Sequence, residues 1–229
     1  MNESSPHEFD RHADRYEADM QQSIPAALAE NQYFAEYKIR YVARRMQNNA
    51  PSRLLDFGCG IGRSLSLFNL QFPGTELWGY DVSPKSIELA RQHRAIANLT
   101  SNLADLPLAE FDVIFAANVF HHISSSERKD ALARCRDLLR GGGRIYLFEH
   151  NPFNPITRFI FERCPFDKGA SMLERRKVLL LAKEVGLNVL HSGYTLFFPR
   201  QVAVLRPLER MLEWLPLGAQ YCVEMAKRD

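Results

Sequence analysis

An acid followed by three glycines at alternate positions, Asp56-Phe57-Gly58-Cys59-Gly60-Ile61-Gly62, stands between an apolar run and a helical pattern. That order reads as a buried strand, a tight turn and a helix start. The glycines let the backbone turn sharply and come close to a ligand, because no Cβ stands in the way. A dinucleotide fingerprint would need G-x-G-x-x-G, and Arg63 occupies the place of its third glycine. The carboxylate inside the motif would repel a pyrophosphate and favour a ligand with a cationic end. Roughly 20 residues further on, the spacing of a ribose-binding acid, a second apolar run ends in Leu77-Trp78-Gly79-Tyr80-Asp81. A carboxylate there can accept both hydroxyls of a ribose.

A second cluster follows the fourth apolar run, at Asn118-Val119-Phe120-His121-His122. Histidine removes protons near neutral pH. His122 is the candidate base, with His121 beside it. The same pair could instead shape the loop through bonds to backbone. Glu149 and His150, at the end of the next apolar run, form an alternative acid–base pair.

The elements that must position these residues alternate. A helix is predicted over 25–48, with Pro25 in its first turn and Asn48-Asn49-Ala50-Pro51 ending it. Strand 53–57, helix 62–71 and strand 77–81 follow. Ser83-Pro84 then opens a capped helix to about residue 94. A short strand at 99–103 leads to strand 111–117, and helix 126–140 is closed by Gly141-Gly142-Gly143. Strand 144–149 is next, helix 174–185 ends at Gly186, and 187–194 and 220–226 are the last strands. This alternation implies a largely parallel sheet covered on both faces. Two segments interrupt it, 151–173 and 196–216, and long insertions on a regular scaffold are usually functional. The first is read as a loop.

Asp56 with its glycines, and Asp81 at the next strand end, together resemble the class I S-adenosylmethionine (SAM) dependent methyltransferases of small-molecule type. The resemblance covers residues 50–150 well and the rest loosely. It implies an α/β, Rossmann-like doubly wound sheet of seven strands, mostly parallel with an antiparallel last strand, and helices on both faces. It implies a single methyltransferase domain over 1–229, with an N-terminal helical lid at 1–50, a SAM-binding core at 51–150 and substrate-side insertions at 151–173 and 196–216. The cofactor would be S-adenosyl-L-methionine, leaving as S-adenosyl-L-homocysteine, with no metal. Carried onto this chain, Asp56 takes the amino-acid end of SAM through the turn or a water, and Gly58, Gly60 and Gly62 admit the ligand. Asp81 holds the ribose, Val82 packs beside the adenine, and Asp105 with Leu106 reads the adenine edge. Asn118 borders the place where the methyl is presented. Tyr16, within Phe9-Asp10-Arg11-His12-Ala13-Asp14-Arg15-Tyr16, is the candidate lid over the cofactor.

Composition sets the outer limits. The chain has 229 residues, 46% of them hydrophobic, enough for one sizeable core. A net charge of +2 argues against nucleic acid as a partner. The stretch Asn151-Pro152-Phe153 resembles the N-P-P-Y type motif of amino methyltransferases, but it follows the fifth strand, not the fourth, and lacks the second proline. Four scattered cysteines with no C-x-x-C pair give little support for zinc. Residues 1–19 carry no apolar signal region, and no run could span a bilayer, so a cytoplasmic protein, monomer or homodimer, is expected.

The leading reading is methyl transfer to oxygen or nitrogen of a small, fairly apolar acceptor, since the insertions supply Phe153, Phe159, Phe161, Phe166, Phe197 and Phe198. A second places the enzyme at a membrane surface on a lipid or quinone-like acceptor, with 199–215 as a basic amphipathic helix. A third, of another class, is a non-catalytic SAM-fold scaffold.

Overall fold

The computed structural model describes residues 25–93, 96–164 and 167–227. Tyr16 and the other residues of the expected lid before 25, along with Phe166, lie outside the described residues. The strands are β1 Arg53–Phe57, β2 Glu76–Tyr80, β3 Asn98–Thr100, β4 Phe111–Ala117, β5 Leu139–His150, β6 Leu187–Thr195 and β7 Gln220–Lys227. The helices are α1 Pro25–Arg45, α2 Arg63–Gln71, α3 Pro84–Gln92, α4 Arg128–Leu138, α5 Pro155–Arg163, α6 Arg175–Glu184 and the single-turn α7 Glu209–Leu212.

All seven strands form one sheet in the order β3-β2-β1-β4-β5-β7-β6. β7 is antiparallel to both of its neighbours, and the other pairings are parallel. Strand residues alternate between two cores, as a period of two requires. On β5, Ile145 and Leu147 join Leu132 of α4 and Val178 of α6 on one face. Tyr146 and Phe148 join Val42 of α1 and Phe68 of α2 on the other. Both faces are therefore covered, and the central strands read as continuous apolar runs because neither side meets water. Local chemistry sets the helix starts. Ser83 Oγ accepts from Ser86 N at 3.1 Å with Pro84 in the first turn of α3, and Asn154 Oδ1 accepts from Thr157 N at 2.9 Å with Pro155 in the first turn of α5.

Three expectations are corrected. The glycines 141–143 do not cap a helix. α4 ends at Leu138, and β5 already begins at Leu139, which pairs with Phe111 before the register shifts to Val113 with Arg144. β4 pairs with Leu139 before the glycines and with Arg144 after them, so strand pairing prevails over helix continuation. The 151–173 segment is not simply a loop, because it contains α5. Residues 199–215 are not one amphipathic α-helix. They form a 3-10 stretch, Arg200–Leu208, broken at Val202 (φ −122°), and then α7. Pro207 lacks the N–H that a continuous helix would need.

The turn after β1 depends on close packing. Gly58 has φ +80°, its N–H donates to Tyr80 O at 2.7 Å, and a Cβ on it would lie 2.3 Å from Val119 Cγ2. Gly58→Ala should therefore destabilise the protein by about 2 to 4 kcal/mol, from the left-handed backbone and the overpacking together. Chemical denaturation checks this, and Val119→Ala in the same chain should recover the packing part but not the backbone part.

Candidate active site

The sheet reverses its winding between β1 and β4, whose neighbours run off in opposite directions. In open α/β sheets the crevice outside the carboxyl ends at such a point takes the ligand. The residues singled out from the sequence collect there. Register places Asp56 beside Gly79 and Phe57 beside Tyr80, so the Asp81 that follows β2 lies next to the glycine turn. Asp81 is clamped by that turn, with Oδ2 accepting from Gly60 N at 2.8 Å and Oδ1 from Ser83 N at 3.0 Å. Val82 beside it is 44% exposed and offers an apolar surface at the strand end.

Asp105 ends a 3-10 turn, Leu103–Asp105, on the β3 side of the site. Its carboxylate accepts from Thr100 Oγ1 at 2.7 Å and Asn102 Nδ2 at 3.0 Å, while the Leu106 side chain is buried in the core. Asn118 directly follows β4 with φ +59°, a conformation asparagine tolerates better than most residues. Its N–H donates to Phe148 O at 2.9 Å and its Oδ1 accepts from Gln220 Nε2 at 3.2 Å.

Asp56 is buried at the head of the turn. Burial, then the Asp81 carboxylate, pushes its pKa up to about 8, against the pull of Lys38. Lys38 is the residue the sequence reading missed. It projects from α1 and is 5% exposed, and burial lowers its pKa to about 8 against the attraction of Glu149 and Asp56. Among the described residues it makes no hydrogen bond. A signal did exist, since Lys38 sits in the apolar stripe Phe34, Lys38, Tyr41, Val42 of helical spacing.

The second cluster centres on Glu149, fully buried at the end of β5. Its Oε1 accepts from Phe120 N at 2.7 Å and His121 N at 3.3 Å, and its Oε2 lies 2.6 Å from His121 Nδ1. The other His121 nitrogen, Nε2, lies 3.2 Å from Asp167 Oδ1. Burial opposes a charge on His121, but the two carboxylates hold its pKa at about 9. It is an imidazolium at neutral pH with both N–H groups engaged. His122 differs, because burial and then the His121 charge drop it to about 4, with Nε2 3.6 Å from Asp167 Oδ1. His150 falls to about 4 from burial and then the same neighbour. Phe161 of α5 closes the group, with ring centroids 5.5 Å from His121 and 5.7 Å from His150.

The insertions contribute selectively. Asp167 and Phe161 reach the cluster, but Phe153 and Phe159 are 60% and 55% exposed. No sequence signal marked Asp167, which reaches His121 only through the tertiary return of the 151–173 segment. Asn151 of the N-P-F stretch is structural. Its amide donates to Pro216 O and Gly218 O, at 3.1 and 2.8 Å, and its Oδ1 accepts from Phe153 N.

Residues 55–145, the part that builds β1 to β5 and the glycine turn, match a family model described as a methyltransferase domain. The O-methyltransferase resE of Aspergillus sclerotiorum is 30% identical over 174 residues, 68% of this chain and 62% of that protein. The malonyl-[acyl-carrier protein] O-methyltransferase of Legionella pneumophila is 32% identical over 125 residues, 51% of this chain and 40% of that protein. A SAM-dependent methyltransferase structure from Archaeoglobus fulgidus superposes with a TM-score of 0.66 at 17% identity, over 86% of this chain and 94% of that one. Residues 55–145 belong to that methyltransferase-domain family, and the chain has the fold of the SAM-dependent methyltransferase structure. It spans less than two thirds of the length of either of these two relatives. Among the described residues, no helix is long and apolar enough to cross a membrane.

The Glu149–His121 pair carries a stability signature. Replacing His121 by Leu leaves a buried carboxylate without its cation, a loss of about 3 to 5 kcal/mol. The His121 pKa is raised from 6.5 to about 9 on folding. Its contribution is therefore complete below pH 6.5 and lost as pH rises through about 9. Denaturant midpoints measured across that range should show the difference between wild type and His121→Leu shrinking towards high pH.

Proposed function

We propose that this protein transfers a methyl group from SAM to an oxygen or nitrogen of a small, fairly apolar acceptor. The observation that carries the reading is a buried lysine and a buried carboxyl group, Lys38 and Asp56, neither hydrogen-bonded among the described residues, at the head of the glycine turn. They fit the carboxylate and the ammonium of the amino-acid end of SAM. Asp81 is then placed for the ribose hydroxyls, with Val82, Asp105 and Leu106 on the adenine side. When bound, SAM supplies a methyl carbon on a sulfonium, and the acceptor's lone pair forms the new bond as the carbon–sulfur bond breaks, leaving the thioether S-adenosyl-L-homocysteine. No metal is needed for that displacement.

The chain's own residues position the acceptor and handle its proton. His122 stays neutral across the physiological range, so its ring can take a proton, with Asp167 facing Nε2. A base held at about pKa 4 is weak, and this favours an acceptor whose proton leaves readily. A neutral amine, a carboxylate or an acidic hydroxyl meets that condition, and a simple alcohol does not. Phe161 supplies an apolar wall beside the histidines. A bilayer-resident acceptor is a second reading, favoured by the apolar outer face of α5 described below.

Calorimetric titration with SAM and S-adenosyl-L-homocysteine tests the cofactor. Asp81→Ala should weaken binding at least tenfold, about 1.4 kcal/mol, in a folded protein. Unchanged affinity would sink the ribose assignment, and no binding by wild type would favour the scaffold reading. At pH 7 Asp56 is mostly protonated, since its pKa is about 8. A cationic ligand end should drive that proton off, so titrations in buffers of different ionisation enthalpy should show proton release for wild type and little for Asp56→Asn. Once turnover is established, His122→Gln should cut kcat by about a hundredfold with a hydroxyl acceptor and much less with an amine.

A further inference from the structure

We infer that the outer face formed by α5 and the 199–217 segment docks onto an anionic phospholipid bilayer. On α5, Ile156, Phe159 and Ile160 lie at i, i+3 and i+4 and are 70%, 55% and 61% exposed. The opposite side of the same helix buries Thr157 and Phe161. In the second segment Val204, Met211 and Trp214 are 85%, 72% and 73% exposed. The two pieces adjoin. Asn154 Nδ2 donates to Leu217 O at 2.6 Å, and Thr157 Oγ1 donates to Ala219 O at 3.1 Å. Single exposed apolar residues need no explanation, but two adjoining sets of them mark an interaction face.

Charge identifies the partner. α1 and the 3-10 stretch enclose a cavity of about 470 Å³ lined by Arg40, Arg44, Arg206 and Arg210 beside Tyr37. The Arg206 guanidinium lies over the Tyr33 and Tyr37 rings, 3.8 and 4.8 Å from their centroids. Its Nε and Nη2 are buried with no acceptor among the described residues. The acid on this segment nearest the cavity, Glu209, is turned inward, where it accepts from the Tyr37 hydroxyl and from Phe197 and Phe198 N–H. Glu36 offsets Arg40 at 3.8 Å, and Glu213 is paired with His191 at 2.8 Å. Arg44 and Arg210, both exposed, form no ion pair among the described residues, and Arg210 adjoins Met211, a large apolar side chain with no cover. An anionic bilayer supplies phosphate oxygens and an apolar layer in one plane. Trp214 suits that boundary, and on α5 Arg163 lies 3.6 Å over the Phe159 ring, a cation at the edge of the apolar set. Because Phe161 on the inner side of α5 meets His121 and His150, the helix that faces the bilayer also walls the acceptor side.

Full-chain protein is sedimented with vesicles of phosphatidylcholine alone and of phosphatidylcholine mixed with phosphatidylglycerol. No methyl donor is added, so the outcome is independent of the methyl-transfer reading. Binding is expected on the mixed vesicles and should weaken as salt is raised. Ile160→Ser and Trp214→Ser should each weaken it about tenfold, by removing an inserted apolar side chain. Arg210→Gln should weaken it about fivefold. All three residues are at the surface, and unchanged thermal unfolding of the variants excludes misfolding. The proposal is overturned if the mixed vesicles bring down no protein, or if the variants bind as wild type does. It is equally overturned if wild type is a dimer in light scattering that Ile160→Ser or Trp214→Ser turns into a monomer, since the face would then join two copies of the chain.

Discussion

One buried carboxylate sets the geometry of the acceptor side. Glu149 ends β5 with no solvent contact, and its oxygens are taken by Phe120 N–H, His121 N–H and the His121 ring. Two backbone N–H groups and a cation on one carboxylate leave the loop after β4 a single arrangement. A buried ion pair adds little net stability over an apolar replacement, but breaking one is costly. Its value here is positional. It fixes the ring of His121, through it the place of Asp167, and next to it the ring of His122.

The same pair divides the charge among three neighbouring histidines. The His121 ring centroid lies 4.1 Å from that of His122 and 5.3 Å from that of His150. Two carboxylates stabilise the proton on His121, and that positive charge, with burial, removes the proton from the other two. Environments that push like groups apart in pKa assign roles to them. One ring becomes a fixed structural cation and the others stay neutral. The sequence pair His121-His122 could not reveal which was which, because the decision lies in Glu149 and Asp167, 28 and 46 residues away from His121.

What was legible in the sequence was whatever depends on short-range pattern. The acid and the alternate glycines announced the turn because left-handed backbone and close approach demand those residues, and Asp81 was legible from its place at the end of an apolar run. The strand order reached the reading only through family resemblance, since periodicity carries no information on which strands pair. Local signals failed where a tertiary partner competed. The three glycines 141–143 look like a helix stop, yet the edge of β4 draws the chain into β5 at Leu139, directly after α4 ends at Leu138. Likewise, the apolar and basic residues of 199–215 keep helical spacing, but Pro207 and the break at Val202 divide them.

Helix α1 connects the two ends of the functional reading. Lys38 faces inward to Asp56 and Glu149, whereas Arg40, two residues on, has a side chain that is 67% exposed and lines the basic cavity. That separation follows from helical geometry, which puts residues two apart on different faces. A lysine buried without a hydrogen-bond acceptor is expensive, and so is the buried carboxyl group of Asp56 without a hydrogen-bond partner among the described residues. Proteins retain such groups where activity requires them, at the expense of stability. A zwitterionic ligand end would satisfy both groups together, its carboxylate meeting Lys38 and its ammonium meeting Asp56 as that carboxyl gives up its proton. A dinucleotide would relieve only the cation and would place its phosphates against Asp56. The charge pattern at the head of the turn therefore discriminates between cofactors on the same sheet architecture, which the glycines alone could not do.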